Sequence, residues 1–280
     1  MVNFTDKCSS CMEADPVKLL EFTLKGKEIG HKIYFLGKID STQNYALYLL
    51  QNFRASLHGA VIIAKEQSNG RGRMGRKWIS QPGGLWMSVI LEKCLTTKRI
   101  PMIQFISSLA VADSISKLTG LECKTKWPND LLLGGKKICG VIVDVGFEGN
   151  KPTHAIIGIG LNANFEASSI AELGNQIIVS RVTTLRDELG NDTDLNKLTK
   201  LILERLEYYY SQLKEDKIKA IVDAWKKRSD FFGRLVRVED GKKNFQGIAI
   251  GVDENGFLEI RLSDGSVQRV IFGDLGLSTL

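Results

Sequence analysis

The run Gly70-Arg71-Gly72-Arg73-Met74-Gly75-Arg76-Lys77-Trp78 is followed at once by Ile79-Ser80-Gln81-Pro82-Gly83-Gly84, and the second run decides what the first can be. The glycines spell G-x-G-x-x-G, the pattern by which a strand delivers a pyrophosphate to the N-terminus of the next helix. That use requires a helix directly after the glycines. Pro82 and the Gly83-Gly84 pair prevent one. The next segment, Leu85-Trp86-Met87-Ser88-Val89-Ile90-Leu91, reads as a strand. Ala60-Val61-Ile62-Ile63-Ala64 reads as a buried strand ahead of the loop. The order strand–loop–strand excludes the dinucleotide-binding arrangement. It leaves a mobile loop whose guanidinium forks suit a polyanion.

The rest of the chain alternates strands and helices. Lys32–Leu36 reads as a strand, followed by a helix capped at Ser41 or Thr42 and running to about Ala55, with Leu47, Leu50 and Phe53 on its inner face. Pro101 opens a long apolar helix over 102–118, which Gly120 ends. Cys123–Trp127 is a strand stopped by Pro128, and Leu131–Leu133 pairs with Ile138–Val145 across Gly134-Gly135. Ala155–Asn162 is a further strand, and helices fill 182–190, 195–213 and 216–229. A short helix beginning at Asp15-Pro16 is also expected. After Phe232 the texture changes to short alternating strands with turn signals Asp240-Gly241, Asn255-Gly256 and Asp264-Gly265. The chain therefore divides into a 1–30 extension, a mixed-sheet α+β unit over 31–231 and a small SH3-like barrel over 232–280.

With 280 residues, 43% apolar and 25% charged, the chain can bury a proper core. Its net charge of +6 suits anionic ligands or an acidic partner, but the basic residues are scattered and do not define a nucleic-acid surface. No apolar run reaches the length of a membrane span, and the N-terminus lacks the apolar core of a secretion signal, so a cytoplasmic protein is expected. Five cysteines without such a signal argue for reduced thiols. Cys8 and Cys11 have a metal-like spacing, but the chain has no second pair to complete four ligands.

Several ordered motifs together carry a resemblance: Asp40-Ser41-Thr42-Gln43-Asn44; Gln67 followed by the glycine-arginine loop to Trp78; Lys126-Trp127-Pro128-Asn129-Asp130; Lys137-Ile138-Cys139-Gly140-Val141-Ile142-Val143; Gly158-Ile159-Gly160-Leu161-Asn162; and Trp225 to Arg234 ahead of the barrel. In this order and spacing, over about 32–280, the chain resembles the biotin protein ligases, in a form without the N-terminal DNA-binding domain. The resemblance implies a catalytic domain like that of class II synthetases. It implies ATP-dependent formation of biotinyl-5′-AMP and transfer of the biotinyl group to a lysine of a biotin carboxyl carrier protein. ATP and biotin would be substrates, with Mg²⁺ on the phosphates and a homodimer as the assembly.

Residue by residue, the resemblance assigns catalysis to Lys126, Arg71 and Arg73, with Lys126 bridging the biotin carboxyl and the α-phosphate as a charge clamp. It assigns biotin contacts to Ser41, Thr42, Gln43, Gln67, Arg71, Gly72, Arg73 and Lys126. It assigns nucleotide contacts to Arg73, Arg76, Trp78, Asn129 and Asn162, and a metal contact to Asn162. Ser41, Thr42 and Gln67 supply the donors and acceptors that a ureido ring needs. The family commonly has Asn at the position of Gln43; the amide chemistry is retained. Two other readings compete. A lipoate ligase shares the adenylation chemistry, but the Gln67–Trp78 loop and Lys126–Asp130 favour biotin. A biotin-responsive repressor needs a winged helix of about sixty residues, whereas 39 residues precede Asp40, so DNA binding is not expected.

Overall fold

The computed structural model describes residues 28–93, 95–172, 181–239 and 244–277. The Cys8/Cys11 pair, the Asp15-Pro16 helix, Cys94 and the Asp240-Gly241 turn lie outside the described residues.

Seven strands form one mixed sheet: β1 (Ile33–Ile39), β2 (Val61–Gln67), β3 (Leu85–Leu91), β4 (Lys124–Lys126), β5 (Asp130–Leu133), β6 (Lys136–Glu148) and β7 (Lys151–Leu161). Their order is β1-β2-β3-β7-β6-β5-β4. β1 and β2 are parallel, and the other neighbours are antiparallel. The helices are α1 (Thr42–Asn52), α2 (Ile100–Thr119), α3 (Ser168–Glu172), α4 (Leu185–Leu189), α5 (Leu195–Lys214) and α6 (Ile218–Lys227).

The two faces of the sheet differ in what covers them. Behind it, α2 lies between the strands and α5 and α6, so it is buried almost all round, as its mostly apolar and small residues require. α6 presents Ile218, Ile221, Val222 and Trp225 at helical spacing, and Trp225 stacks on Phe105 with ring centroids 4.5 Å apart. Each such large apolar side chain contributes about 1.5–3 kcal/mol when fully buried. In front, α1 covers β1, β2 and part of β3 through Ala46 and Leu49, packed on Leu36, Ile62, Ile90 and Ile156. This corrects the inner face expected for α1: Leu47 and Phe53 are exposed, and Thr42, Gln43, Ala46 and Leu49 are buried. The buried set combines polar and small residues, which hydrophobic periodicity overlooks.

Five further strands form an antiparallel sheet in the order β11-β10-β9-β8-β12: β8 (Leu235–Glu239), β9 (Asn244–Val252), β10 (Leu258–Arg261), β11 (Val267–Val270) and β12 (Asp274–Leu277). Its Val236, Val238, Ala249, Leu258 and Ile260 belong to the same apolar cluster as α2 and the back of the large sheet. Trp127 Nε1 donates to the Gly256 carbonyl at 3.0 Å, joining the end of β4 to the small sheet. The mixed seven-stranded sheet with flanking helices, followed by this small β unit, is the architecture expected from the sequence.

Candidate active site

One cross-strand row organises the front face: Leu36–Ala64–Trp86–Gly160–Gly140–Asp130–Lys126. Residues paired in a row project to the same side of the sheet. The row runs from the core under α1, across two glycines, to Lys126 on the edge strand. The neighbouring row, Ser88–Gly158–Ile142, adds a third glycine. A Cβ on Gly160 would lie 2.6 Å from Trp78 Nε1, and one on Gly140 would lie 2.9 Å from the Trp78 ring. The glycines therefore make a flat floor on which the Trp78 indole rests. Lys137 Nζ sits 5.0 Å from the centroid of that ring.

The glycine-arginine segment folds over this floor as a hairpin. Gln67 N–H donates to the Ser80 carbonyl at 2.9 Å, Trp78 N–H to Gly70 O at 2.8 Å and Gly72 N–H to Arg76 O at 2.7 Å. Met74 (φ 54°) and Gly75 (φ 71°) are successive left-handed residues that turn its tip. A Cβ on Gly70 would lie 2.4 Å from the Trp78 carbonyl. That glycine thus serves the closure of the hairpin and not a helix N-terminus, which accounts for the missing dinucleotide-binding context.

At one end of the floor lies a set of buried polar groups. The Thr42 N–H donates to Gln67 Oε1 at 2.8 Å, and Gln67 Nε2 donates to Ser80 Oγ at 2.8 Å. Ser88 Oγ lies 2.8 Å from Thr42 Oγ1 and 2.9 Å from Gln43 Oε1. Gln43 Nε2 donates to Asp144 Oδ2 at 3.1 Å and to the Ile156 carbonyl at 3.3 Å. Ser41 stands at the N-cap of α1 but makes no side-chain capping bond. Its Oγ is buried without a hydrogen-bond partner in the described structure. A buried hydroxyl left unpaired in a polar cavity is the kind of group a ligand satisfies.

At the other end are the cations. Arg71 Nη1 lies 2.9 Å from Asp144 Oδ2. Arg73 Nη1 donates to Asn129 Oδ1 at 3.1 Å and to the Gly273 carbonyl at 3.2 Å, and it lies 3.5 Å from Asp274 Oδ1. Arg76 also pairs with Asp274. Lys137 pairs with Asp130 at 2.6 Å. Lys126 has no ion-pair partner among the described residues, and its register places it on the front face beside Asp130. Burial pushes the Arg73 guanidinium down, Asp274 and Asp130 oppose that shift, and the group remains a cation. A groove of about 320 Å³ opens beneath the loop, lined by Arg71, Arg73, Met74, Gln104, Ile142 and Asp144.

Of the expected site residues, Arg71, Gly72 and Arg73 line the groove; Gln43 reaches its Asp144 and Thr42 bonds to Gln67 behind it, Asn129 and Arg76 are tied in through Arg73 and Asp274, Trp78 lies on the glycine floor, Ser41 caps α1 and Lys126 ends the row. Asn162 lies past the end of β7, and its hydrogen bonds run to Ile138, Thr183 and Leu185. Sequence reasoning did not pick out Asp144, Asp274, Ser88 or Asp130. In β6, however, Gly140, Ile142 and Asp144 share one face, and a carboxylate inside the otherwise apolar run 138–147 is a usable signal. Cys123 and Cys139 are not nucleophiles here: burial pushes the Cys123 thiol to about 12 and the Cys139 thiol higher still. No cluster of three or more His, Cys, Asp or Glu side chains that could hold a metal occurs among the described residues. Chemically, the site can hold a polar ring at one end and concentrate positive charge on oxyanions at the other.

Residues 36–162 match the Biotin/lipoate A/B protein ligase family, and residues 231–275 match the Biotin protein ligase C terminal domain. The chain is 29% identical over 259 residues to the Bifunctional ligase/repressor BirA of Bacillus subtilis, covering 92% of this chain and 78% of that protein. It is 28% identical over 229 residues to the Biotin–[acetyl-CoA-carboxylase] ligase of Paracoccus denitrificans, covering 81% and 92%. The structure of the Biotin protein ligase from Aquifex aeolicus in complex with biotin and ATP superposes with a TM-score of 0.73 at 27% identity, covering 89% of this chain and 99% of that one.

Proposed function

The chain belongs to the biotin protein ligase family, and from that premise we propose how its groove performs the family's reaction. The protein is an ATP-dependent ligase that activates biotin as the adenylate and joins it to the lysine of an acceptor. The observation that supports this reading is that the start of α1, where the Ser41 hydroxyl is buried without a partner, is tied through the Thr42 N–H to Gln67, the residue that opens the hairpin of three arginines.

The first half-reaction brings two anions together. Their repulsion is about 4 kcal/mol at about 4 Å with an effective dielectric of roughly 20. Cations fixed before the reaction offset it most effectively where the biotin carboxylate meets the α-phosphorus. Lys126 is suited to that position because its ammonium makes no ion pair among the described residues, the adjacent Asp130 being paired with Lys137. Arg71 and Arg73 hold the carboxylate and phosphate oxygens, and Arg76 binds the polyphosphate. Trp78, Asn129 and Asn162 are assigned to the nucleotide side. Ser41, Thr42, Gln43 and Gln67 take the ureido ring. Once adenylate forms, the hairpin over it excludes water until an acceptor lysine amine attacks the mixed anhydride.

Mg²⁺ would accompany the ATP phosphates, which would supply most of its oxygen ligands; Asn162 is the protein group we assign to it. In the second half-reaction the acceptor is the biotin-accepting carrier domain of a carboxylase. We further propose a homodimer located in the cytoplasm, and a division into a 1–30 extension, a 31–231 catalytic unit and a 232–280 barrel. No helix among the described residues is long and apolar enough to cross a membrane.

The test is transfer of labelled biotin from ATP and biotin to an isolated carrier domain. ATP-dependent label on the carrier, with pyrophosphate released, is the expected result. Preferential binding and transfer of lipoate would overturn the reading.

A further inference from the structure

The start of β12 carries the small sheet to the hairpin. Gly273 has φ 142°, and a Cβ there would lie 2.8 Å from the Glu239 carbonyl, so a glycine lets the chain pass this close to β8. The turn delivers two acceptors together. The Gly273 carbonyl accepts from Arg73 Nη1 at 3.2 Å, and the Asp274 carboxylate pairs with Arg76 and stands 3.5 Å from Arg73 Nη1. Two neutral oxygens, of Asn129 and Gly273, thus direct the Arg73 Nη1 group, and Asp274 supplies the opposite charge from the small sheet. Arg71 differs, because its partner Asp144 belongs to β6 of the large sheet.

Asp274 is poorly placed for its own sheet. The register sets it directly opposite Glu239 of β8, and like charges on opposed antiparallel residues destabilise the pair. Glu239 is met by Arg237 at 3.2 Å, whereas the cations that meet Asp274 are Arg73 and Arg76 of the hairpin. The position of this carboxylate is favourable toward the hairpin and unfavourable toward β8.

We propose that Asp274 is a positioning residue acting as a resident counter-anion, which holds Arg73 and Arg76 over the groove until the polyphosphate of the nucleotide replaces it. The proposal rests on the reading that these arginines take phosphate oxygens. A phosphate on Arg76 displaces an existing pair and lies beside a fixed negative charge, so Asp274 weakens nucleotide binding. The same exchange unties the hairpin from the small sheet, so Asp274 also keeps the empty hairpin in place. An aspartate that only organised the arginines would do the reverse and strengthen nucleotide binding.

The experiment compares wild type with Asp274→Asn, which keeps the size and removes the charge. It measures KM for ATP in adenylate formation, calorimetric binding of inorganic pyrophosphate, and the rate of tryptic cleavage at Arg71, Arg73, Arg76 and Lys77. In Asp274→Asn, the KM for ATP and the Kd for pyrophosphate should each fall about three- to fivefold, the scale of one exposed ion pair. Cleavage should quicken about threefold as the hairpin loses its tie. Asp274→Glu keeps the charge and should restore all three values toward wild type. Glu259→Gln removes the same charge from β10, which β9 and β8 separate from β12, and it should leave them unchanged. The inference is overturned if the KM for ATP is unchanged or raised in Asp274→Asn, or if Glu259→Gln gives an equal gain. Should Asp274→Asn fail to fold, Asp274→Ala replaces it in the same measurements, and failure of both shows a structural contact and also overturns the inference. A wild-type protein that forms no adenylate from ATP and biotin would instead refute the proposed function, while pyrophosphate binding and cleavage would still report on Asp274.

Discussion

Two arginine–aspartate clusters lie on opposite sides of the large sheet, built from the same side chains for different ends. Behind the sheet, Asp113 of α2 accepts from Arg205 of α5, from the Tyr209 hydroxyl at 2.8 Å and from Arg228 Nη2 at 2.5 Å. Its side chain is 12% exposed. Burial raises the Asp113 carboxyl, but the hydrogen bonds from Arg205 and Tyr209 outweigh it and hold the group below the usual carboxylate range. Burial and the same carboxylate push the Tyr209 hydroxyl up to about 12. In front, Arg71, Arg73, Arg76 and Lys137 share Asp144, Asp274 and Asp130, and the side chains of Arg76 and Asp274 are 57% and 45% exposed. A saturated carboxylate between three donors ties helices together. Pairs whose carboxylate is open to solvent, as Asp274 and Asp144 are, can exchange a partner for a ligand oxyanion. Burial of the carboxylate, not residue type, separates a structural ion pair from a binding one.

The strongest challenge to this contrast is Asp113→Ala. Stranding Arg205 and Arg228 should cost about 3–5 kcal/mol in denaturant unfolding, with biotin affinity unchanged. A loss below 1 kcal/mol, or an altered affinity, would break the comparison. The acid limb tests the same point. The folded-state pKa of Asp113 is depressed, so its contribution is present above the unfolded value near pH 4 and is lost as pH falls through the folded value. Asp113→Asn should therefore show a shallower loss of stability with falling pH than wild type does.

On the front, Lys126→Ala should slow adenylate formation about 10²–10³-fold while changing biotin binding only a few-fold. Equal turnover would make Lys126 structural. Arg73→Ala should slow the same step about tenfold or more and shorten the residence of preloaded adenylate. A slower mutant that retains adenylate as long as wild type would separate charge from cover. The smallest effect belongs to Asp274→Ala: the exposed pair should contribute less than about 1 kcal/mol to unfolding, sharpening the difference from Asp113.

Much of the fold was legible because its signals are local. Pro101 and Gly120 bracket α2, and Gly134-Gly135 turns the β5–β6 hairpin with two positive φ angles. Residues of separate motifs do meet: Thr42 bonds to Gln67, and Arg73 to Asn129. Asp274 was hidden because its partner Arg76 is 198 residues away, and no local pattern reports a contact closed by packing a second sheet. Ser88 was hidden for another reason: inside an apolar strand it resembles a tolerated small residue, and only pairing across β3 and β7 sets it opposite Gly158 under α1. The inner face of α1 differs from the one expected because its buried side is half polar, with Thr42 and Gln43 beside Ala46 and Leu49.

The bed of Gly140 and Gly160 beneath Trp78 has an optical consequence. The chain has four tryptophans, and Trp86, Trp127 and Trp225 are each 1% exposed or less. Their emission should stay blue and constant whatever enters the groove. Trp78 is partly exposed, lies on the glycine floor and carries the Lys137 ammonium over its ring. Any occupant that shifts that cation or slides the indole changes its local field. The protein thus contains a single responsive fluorophore at the site itself, and the order of substrate arrival should be readable by stopped flow without a label.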